Sequence, residues 1–137
     1  MYKHIIYAVP TFSNPSSKTM SPARRQQVVQ IAREYDALIV TDDVYDQLQW
    51  PASANSPQPS LSKAAVPRIV DIDRQYDGGA ERSGADGFGN AVSNGSFSKI
   101  IGPGCRTGWA EGTPKFAHGL SQVFVYHSVH ELSPTSY

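Results

Sequence analysis

Apolar residues in this chain come in short blocks divided by long polar stretches, and the spacing inside each block predicts its element. Residues 4–9 (HIIYAV) alternate weakly and are rich in β-branched and aromatic side chains, which predicts a strand. The next ten residues, with Asn-Pro-Ser-Ser at their centre, are turn chemistry. Ser21-Pro22 is a helix opening, a hydroxyl cap followed by proline at the first helical position. Val28, Ile31, Ala32 and Tyr35 then recur at helical spacing, which puts Arg24, Arg25, Gln27 and Glu34 on the outer face. Residues 38–41 (LIVT) predict a buried strand with Asp42 and Asp43 at its carboxyl end.

The second half is less regular. Residues 51–66 form a polar, proline-rich connection, and residues 68–72 predict a short strand. Residues 77–89 read as a glycine-rich loop, and residues 91–97 as a strand ending at two serines and Lys99. Residues 109–111 predict one more strand, and Thr113-Pro114 opens a second helix. Strand, helix, strand in this rhythm predicts an α/β fold with a mostly parallel sheet. Ligands of such sheets collect beyond the carboxyl ends of the strands. Three polar groups follow predicted strands there: Asn14, the pair Asp42 and Tyr45, and the run from Ser96 to Lys99.

Composition narrows the setting. The 137 residues are enough for one domain or a part of one. Twelve basic and twelve acidic residues balance, so no overall field favours nucleic acid or an anionic membrane. The one cysteine, Cys105, excludes an internal disulfide and favours a reducing, cytoplasmic compartment. No apolar run is long enough to span a bilayer, and the one at the amino terminus stops at Pro10, too early for a signal peptide. The four histidines are scattered without metal-ligand partners, so no metal site is expected.

The segment from Ser93 to Trp109, SNGSFSKIIGPGCRTGW, carries the densest chemistry. A lysine on a loop is ordinarily a solvated charge. Lys99 has unusual company: the hydroxyls of Ser96 and Ser98, the small residues Gly95, Gly102 and Gly104, and the guanidinium of Arg106. Glycines allow backbone to approach a ligand, and arginine offers a planar fork suited to phosphate. Ser-Phe-Ser-Lys also matches S-x-x-K of penicillin-recognising acylases, but their S-D-N and K-T-G elements are missing. Cys105 reads as a small packing residue, and Trp109 as a ring behind the loop.

GSFSKIIGPGCRTGW closely resembles the cofactor-lysine segment of the fold type I pyridoxal-phosphate aminotransferases of class I/II, most of all the branch of α-aminoadipate aminotransferases and their fungal relatives. VPTFSNPSS and IVTDDVYDQLQW resemble two further family segments, in the family's order. The resemblance implies a partial large domain over residues 1–122, with residues 123–137 a tail foreign to the family. It implies pyridoxal 5'-phosphate as cofactor, with Lys99 forming the Schiff base and moving the substrate's α-proton. Asp42 would pair with the pyridine nitrogen, Asn14 and Tyr45 would bond the ring oxygen, and Ser96, Ser98 and Arg106 would hold the phosphate.

The implied reaction moves an amino group from an amino acid to a 2-oxo acid, in a protein that is normally a homodimer and binds neither nucleic acid nor membrane. A lyase or decarboxylase with the same cofactor groups, or a catalytically inert chain, are the alternatives. The family's upstream phosphate loop and ring-stacking aromatic would precede Met1, and its substrate-carboxylate arginine would follow Tyr137. With few helices to cover a parallel sheet, the strands are expected to leave apolar surface open, and the tail VFVYHSV reads as β-prone.

Overall fold

The computed structural model describes residues 2–49, 53, 55 and 64–130. The proline-rich connection lies largely outside the described residues. Four strands form one sheet in the order β1 (His4–Ala8), β2 (Ala37–Asp42), β3 (Ala91–Ser96) and β4 (Gly108–Glu111). The first three are parallel, with Ile6 opposite Ile39 and Val40 opposite Val92; β4 runs antiparallel, with Trp109 opposite Gly95. Helix α1 (Pro22–Glu34) links β1 to β2, α2 (Ile69–Gln75) lies between β2 and β3, and α3 (Pro114–His130) follows β4. Two successive crossovers in the same direction along a sheet place their helices on one face, because each crossover is right-handed.

That shared face is the core. Val29 and Ala32 of α1, Ile69 and Val70 of α2, and Ala37, Ile39 and Ala91 of the sheet pack together and are buried. Asp73, itself buried, ties the layers: its Oδ1 accepts from Arg33 of α1, and its Oδ2 accepts from the backbone N–H groups of Asn90 and Ala91 at the start of β3. The opposite face is largely open at β1, where Ile5 is 73% and Tyr7 65% exposed. Helix α3 returns over its far end, leaving an apolar groove lined by Trp109, Ala110, Ala117 and Leu120. Open apolar surface on the strands is what the shortage of helices predicts.

Both predicted helix openings hold. Ser21 Oγ accepts from the Arg24 N–H, and Thr113 Oγ1 accepts from the Phe116 N–H. Three expectations need correcting. Residues 68–72 open a helix rather than a strand. Asp71 caps it, accepting from the Arg68 N–H at 3.3 Å and pairing with the Arg68 guanidinium at 2.9 Å, while Ile69, Val70 and Asp73 share its buried side. This tertiary burial and the cap override the β-branched propensity of Ile69, Val70 and Ile72.

The buried stripe of α1 is Arg25, Val29 and Ala32, whereas Ile31 and Tyr35 face solvent, so Arg25 points inward. The VFVYHSV segment continues the α3 backbone through His130 instead of extending as a strand. Its predecessors from Pro114 already run as a helix, and propagation adds a hydrogen bond per residue at little entropy.

Candidate active site

The carboxyl ends of β1, β2 and β3 lie at one edge of the sheet, and each carries one of the polar groups singled out in the sequence. After β1 the chain makes a small closed loop. Ser13 bridges Lys18, Met20 N–H donates to Pro10 O at 2.8 Å, and Asn14 sits exposed at the turn. Arg25 anchors both ends of that loop from beneath. Its guanidinium has no exposed surface and donates to Met20 O at 2.9 Å, Pro10 O at 3.0 Å, Thr11 Oγ1 at 2.8 Å and Pro67 O at 3.1 Å. Burial pulls this guanidinium below its ordinary pKa, and the nearby Asp43 and Asp46 carboxylates work the other way.

At the end of β2 the two adjacent aspartates point to opposite faces, as strand alternation requires. Asp43 lies on the helix-covered side, is 3% exposed, and accepts from Thr41 Oγ1 at 2.5 Å and Ser93 Oγ at 2.6 Å. Asp42 lies on the other side, opposite Asn94 of β3, and its Oδ2 accepts from the Tyr7 hydroxyl at 3.0 Å. Its Oδ1 is shielded from solvent and has no hydrogen-bond partner. Tyr45 follows in the turn, half-buried.

Behind this turn, burial and the Asp43 carboxylate push the Asp46 carboxyl up to about 6, against the pull of Arg68 at 3.9 Å. A carboxyl raised above its ordinary 3.8 disfavours the folded state once ionised, so its contribution to stability declines as pH rises from about 4 to about 6. Asp46→Asn is therefore expected to be more stable than the parent at pH 7.5 by on the order of 1 kcal/mol, and to lose that advantage near pH 4. Thermal unfolding across this range measures it; an advantage that grows as pH falls contradicts the sign.

After β3 the chain turns through residues 97–107 and returns as β4, with the Phe97 N–H donating to Thr107 O at 3.1 Å. Ser96 Oγ accepts from the Ser98 N–H at 3.1 Å and donates to Ser98 Oγ at 2.9 Å, pairing the two hydroxyls. Lys99 is exposed and makes no hydrogen bond or ion pair among the described residues. Arg106 is exposed, holds a left-handed backbone at φ 47°, and makes only a 3.5 Å bond to Pro103 O.

Gly95 is required by close approach: a Cβ there would lie 2.3 Å from Trp109 Cε2. The Trp109 ring covers that glycine and meets Phe97 at 4.9 Å, which supports the loop from behind. Cys105 is exposed rather than packed, because it sits in the turn that swings clear of the sheet.

The strand ends thus carry, among the described residues, an amine without a partner, a guanidinium with one long bond to Pro103 O, two paired hydroxyls, and two buried carboxylate oxygens lacking a donor: Asp42 Oδ1 on the open face and Asp43 Oδ1 beneath the helices. A model of the aminotransferase class I and II family matches residues 2–124. The chain belongs to the class I and II aminotransferases. It is 46% identical over 112 residues to the yeast protein YER152C of Saccharomyces cerevisiae, which covers 81% of this chain and 23% of that protein. It is 33% identical to an L-tyrosine:2-oxoglutarate aminotransferase of Tapinella panuoides, covering 88% of this chain and 22% of that one.

In structure it resembles the kynurenine aminotransferase of Pyrococcus horikoshii, with a TM-score of 0.61 at 32% identity over 88% of this chain and 24% of the other. The chain spans about a quarter of the length of these relatives.

The residues present fit pyridoxal phosphate, the cofactor of this family. Of the two orphaned aspartate oxygens, Asp42 Oδ1 is the one on the open face and so the acceptor offered to a ring N–H, and the hydroxyls and guanidinium of residues 96–106 suit a phosphate. Three residues that sequence reasoning passed over bear on the site. Tyr7 and Asn94 flank Asp42, and strand alternation with the register could have found both. Arg25 was placed outside, and no sequence signal distinguishes it from Arg24. Among the described residues no helix is long and apolar enough to cross a membrane, and no cluster of histidine, cysteine or acidic residues could hold a metal.

Proposed function

We propose that this sheet edge is the cofactor site of an aminotransferase that moves an amino group from an amino acid to a 2-oxo acid. What supports the reading is Asp42 Oδ1, buried on the open face at the end of β2 without a donor, while the turn after the neighbouring parallel strand carries an exposed lysine with no partner among the described residues. Pyridoxal phosphate, when bound, supplies a protonated ring that withdraws electrons from the substrate's α-carbon. Asp42 Oδ1 accepts the ring N–H and holds that proton in place. Asn14 and Tyr45 would hydrogen-bond the ring oxygen. Ser96, Ser98 and Arg106 hold the phosphate. Lys99 Nζ would hold the cofactor at its aldehyde carbon, with loss of water, and, once displaced by the substrate's amine, would take the proton from the substrate's α-carbon.

The names of the Tapinella and Pyrococcus relatives favour an aromatic amino donor, with 2-oxoglutarate as a suitable acceptor. A homodimer is the proposed assembly, and a cytoplasmic setting suits the single exposed thiol of Cys105. Residues 1–122 are proposed as the family portion and residues 123–137 as a tail outside it.

The two aspartates give the test. Asp42→Asn replaces the free acceptor oxygen with a group that can donate, and is expected to weaken pyridoxal phosphate binding at least about tenfold while moving Tm little. Asp43→Asn is expected to do the reverse. It disturbs two buried hydroxyl bonds, at about 1–3 kcal/mol of stability, and leaves the cofactor contact intact. Absorbance titration and urea unfolding of both variants check this; equal effects of the two on binding would mean the cofactor register is wrong.

A further inference from the structure

Tyr7 is an aromatic residue that does not serve the core. It lies on β1 opposite Val40, on the face away from α1 and α2, and it is 65% exposed. Asp42 is two residues beyond Val40, so the two side chains share a face and stand diagonally across neighbouring strands. That spacing is within reach of a long aromatic side chain. The phenol spans it and donates to Asp42 Oδ2 at 3.0 Å. The other oxygen, Oδ1, is shielded from solvent and has no partner. One carboxylate therefore has one oxygen held and one left over.

The division matters because the terminal torsion of an aspartate is soft and roughly two-fold. An unheld carboxylate swings and presents either oxygen at a range of angles. A hydrogen bond to an ionised acceptor is among the stronger ones, and here it fixes that torsion before any ligand arrives. Preorganisation of this kind raises affinity by removing an ordering cost.

We propose that Tyr7 is a positioning residue for Asp42, holding Oδ2 so that Oδ1 is presented to the ring nitrogen of the cofactor. This rests on the reading of the sheet edge as a pyridoxal phosphate site. Tyr7 touches the carboxylate and acts only through it. The hydrogen bond to Asp42, with lesser help from burial and the carboxylate's charge, raises the phenol's pKa. Tyr7 is therefore a protonated donor throughout the neutral range.

The test uses Tyr7→Phe, which removes one oxygen, beside Tyr35→Phe on the exposed side of α1 as control. Two probes are titrated into the chain by absorbance: pyridoxal phosphate and its 1-deaza analogue, in which a carbon replaces the ring nitrogen. Tyr7→Phe is expected to bind pyridoxal phosphate about tenfold more weakly and the analogue as well as the parent does, with Tyr35→Phe unchanged for both. Without cofactor, the Tyr7 phenol, labelled at Cζ for NMR, is expected to titrate at lower pH in Asp42→Asn than in the parent.

A loss of equal size for both probes would make Tyr7 a general structural residue and overturn the proposal. So would an unchanged Tyr7→Phe in a parent that prefers pyridoxal phosphate over the analogue; the site reading would survive that result. A parent that binds both probes alike would remove the site reading itself and the role of Tyr7 with it.

Discussion

Lys99→Ala is expected to abolish covalent capture of pyridoxal phosphate. When the chain is incubated with the cofactor and reduced with borohydride, the label should appear on the peptide containing Lys99 and vanish in the variant. The expectation follows from position and freedom. Lys99 is exposed on the turn after β3, with no partner among the described residues, and the serine pair and Arg106 lie on the same turn. An amine held in an ion pair is a poorer nucleophile than a free one.

Lys115 is the natural comparison, because its Nζ donates to Asp86 O at 2.5 Å and rests 4.6 Å from the centre of the Phe88 ring. Label on Lys115, or on Lys63, would remove the assignment. Weak, non-covalent binding of the phosphate should persist in Lys99→Ala, since Arg106, Ser96 and Ser98 remain. Mass spectrometry of the reduced digest reads the first effect, and absorbance titration the second.

Arg25→Met is expected to have the largest effect on stability, on the order of 3 kcal/mol or more. Methionine replaces the stem of the side chain but none of its donors. The Pro10 carbonyl and the Thr11 hydroxyl would each lose a buried bond, and the carbonyls of Met20 and Pro67 a part-buried one. Leaving a buried acceptor unpaired costs about 1–3 kcal/mol, and the four share one donor side chain, so the losses do not simply add. Arg24→Met, one position earlier and exposed, should fall within about 0.5 kcal/mol of the parent.

Urea unfolding of both variants measures the difference; similar midpoints for Arg24→Met and Arg25→Met would mean the buried network contributes little. The same substitution frees both ends of the loop that presents Asn14. Faster amide exchange of residues 11–19 should therefore accompany the lost stability.

The contrast between these two arginines separates what the chain announces from what the fold decides. Local order is written in local chemistry. The Ser21-Pro22 cap, the Thr113-Pro114 cap, the β-branched runs of β1 and β2 and the turn at Asn14 each follow from a few adjacent residues, because capping, propensity and turn geometry act over one to four positions. The strand-helix-strand order predicted a mostly parallel sheet, and that is the sheet found. The groups at the strand ends were legible too, because parallel strands bring their carboxyl ends to one edge whatever the sequence between them.

Facing and partnership were not legible. Two adjacent arginines on one helix carry the same local signal, and only carbonyls supplied by residues 10, 20 and 67 turn Arg25 inward. Residues 68–72 resemble a strand until Asp71, Glu111 and the burial of Ile69 and Val70 make them a helix. Asp42 and Asp43 are indistinguishable as letters. The pleat of β2 sends one to the open face, where Tyr7 meets it across the strand pairing, and the other beneath the helices. The sequence by itself determined which elements form and in what order, since those depend on neighbours along the chain. The tertiary structure alone decided which charges are buried and how each aspartate is held, since those depend on partners outside the local turn or helix, some of them more than thirty residues away.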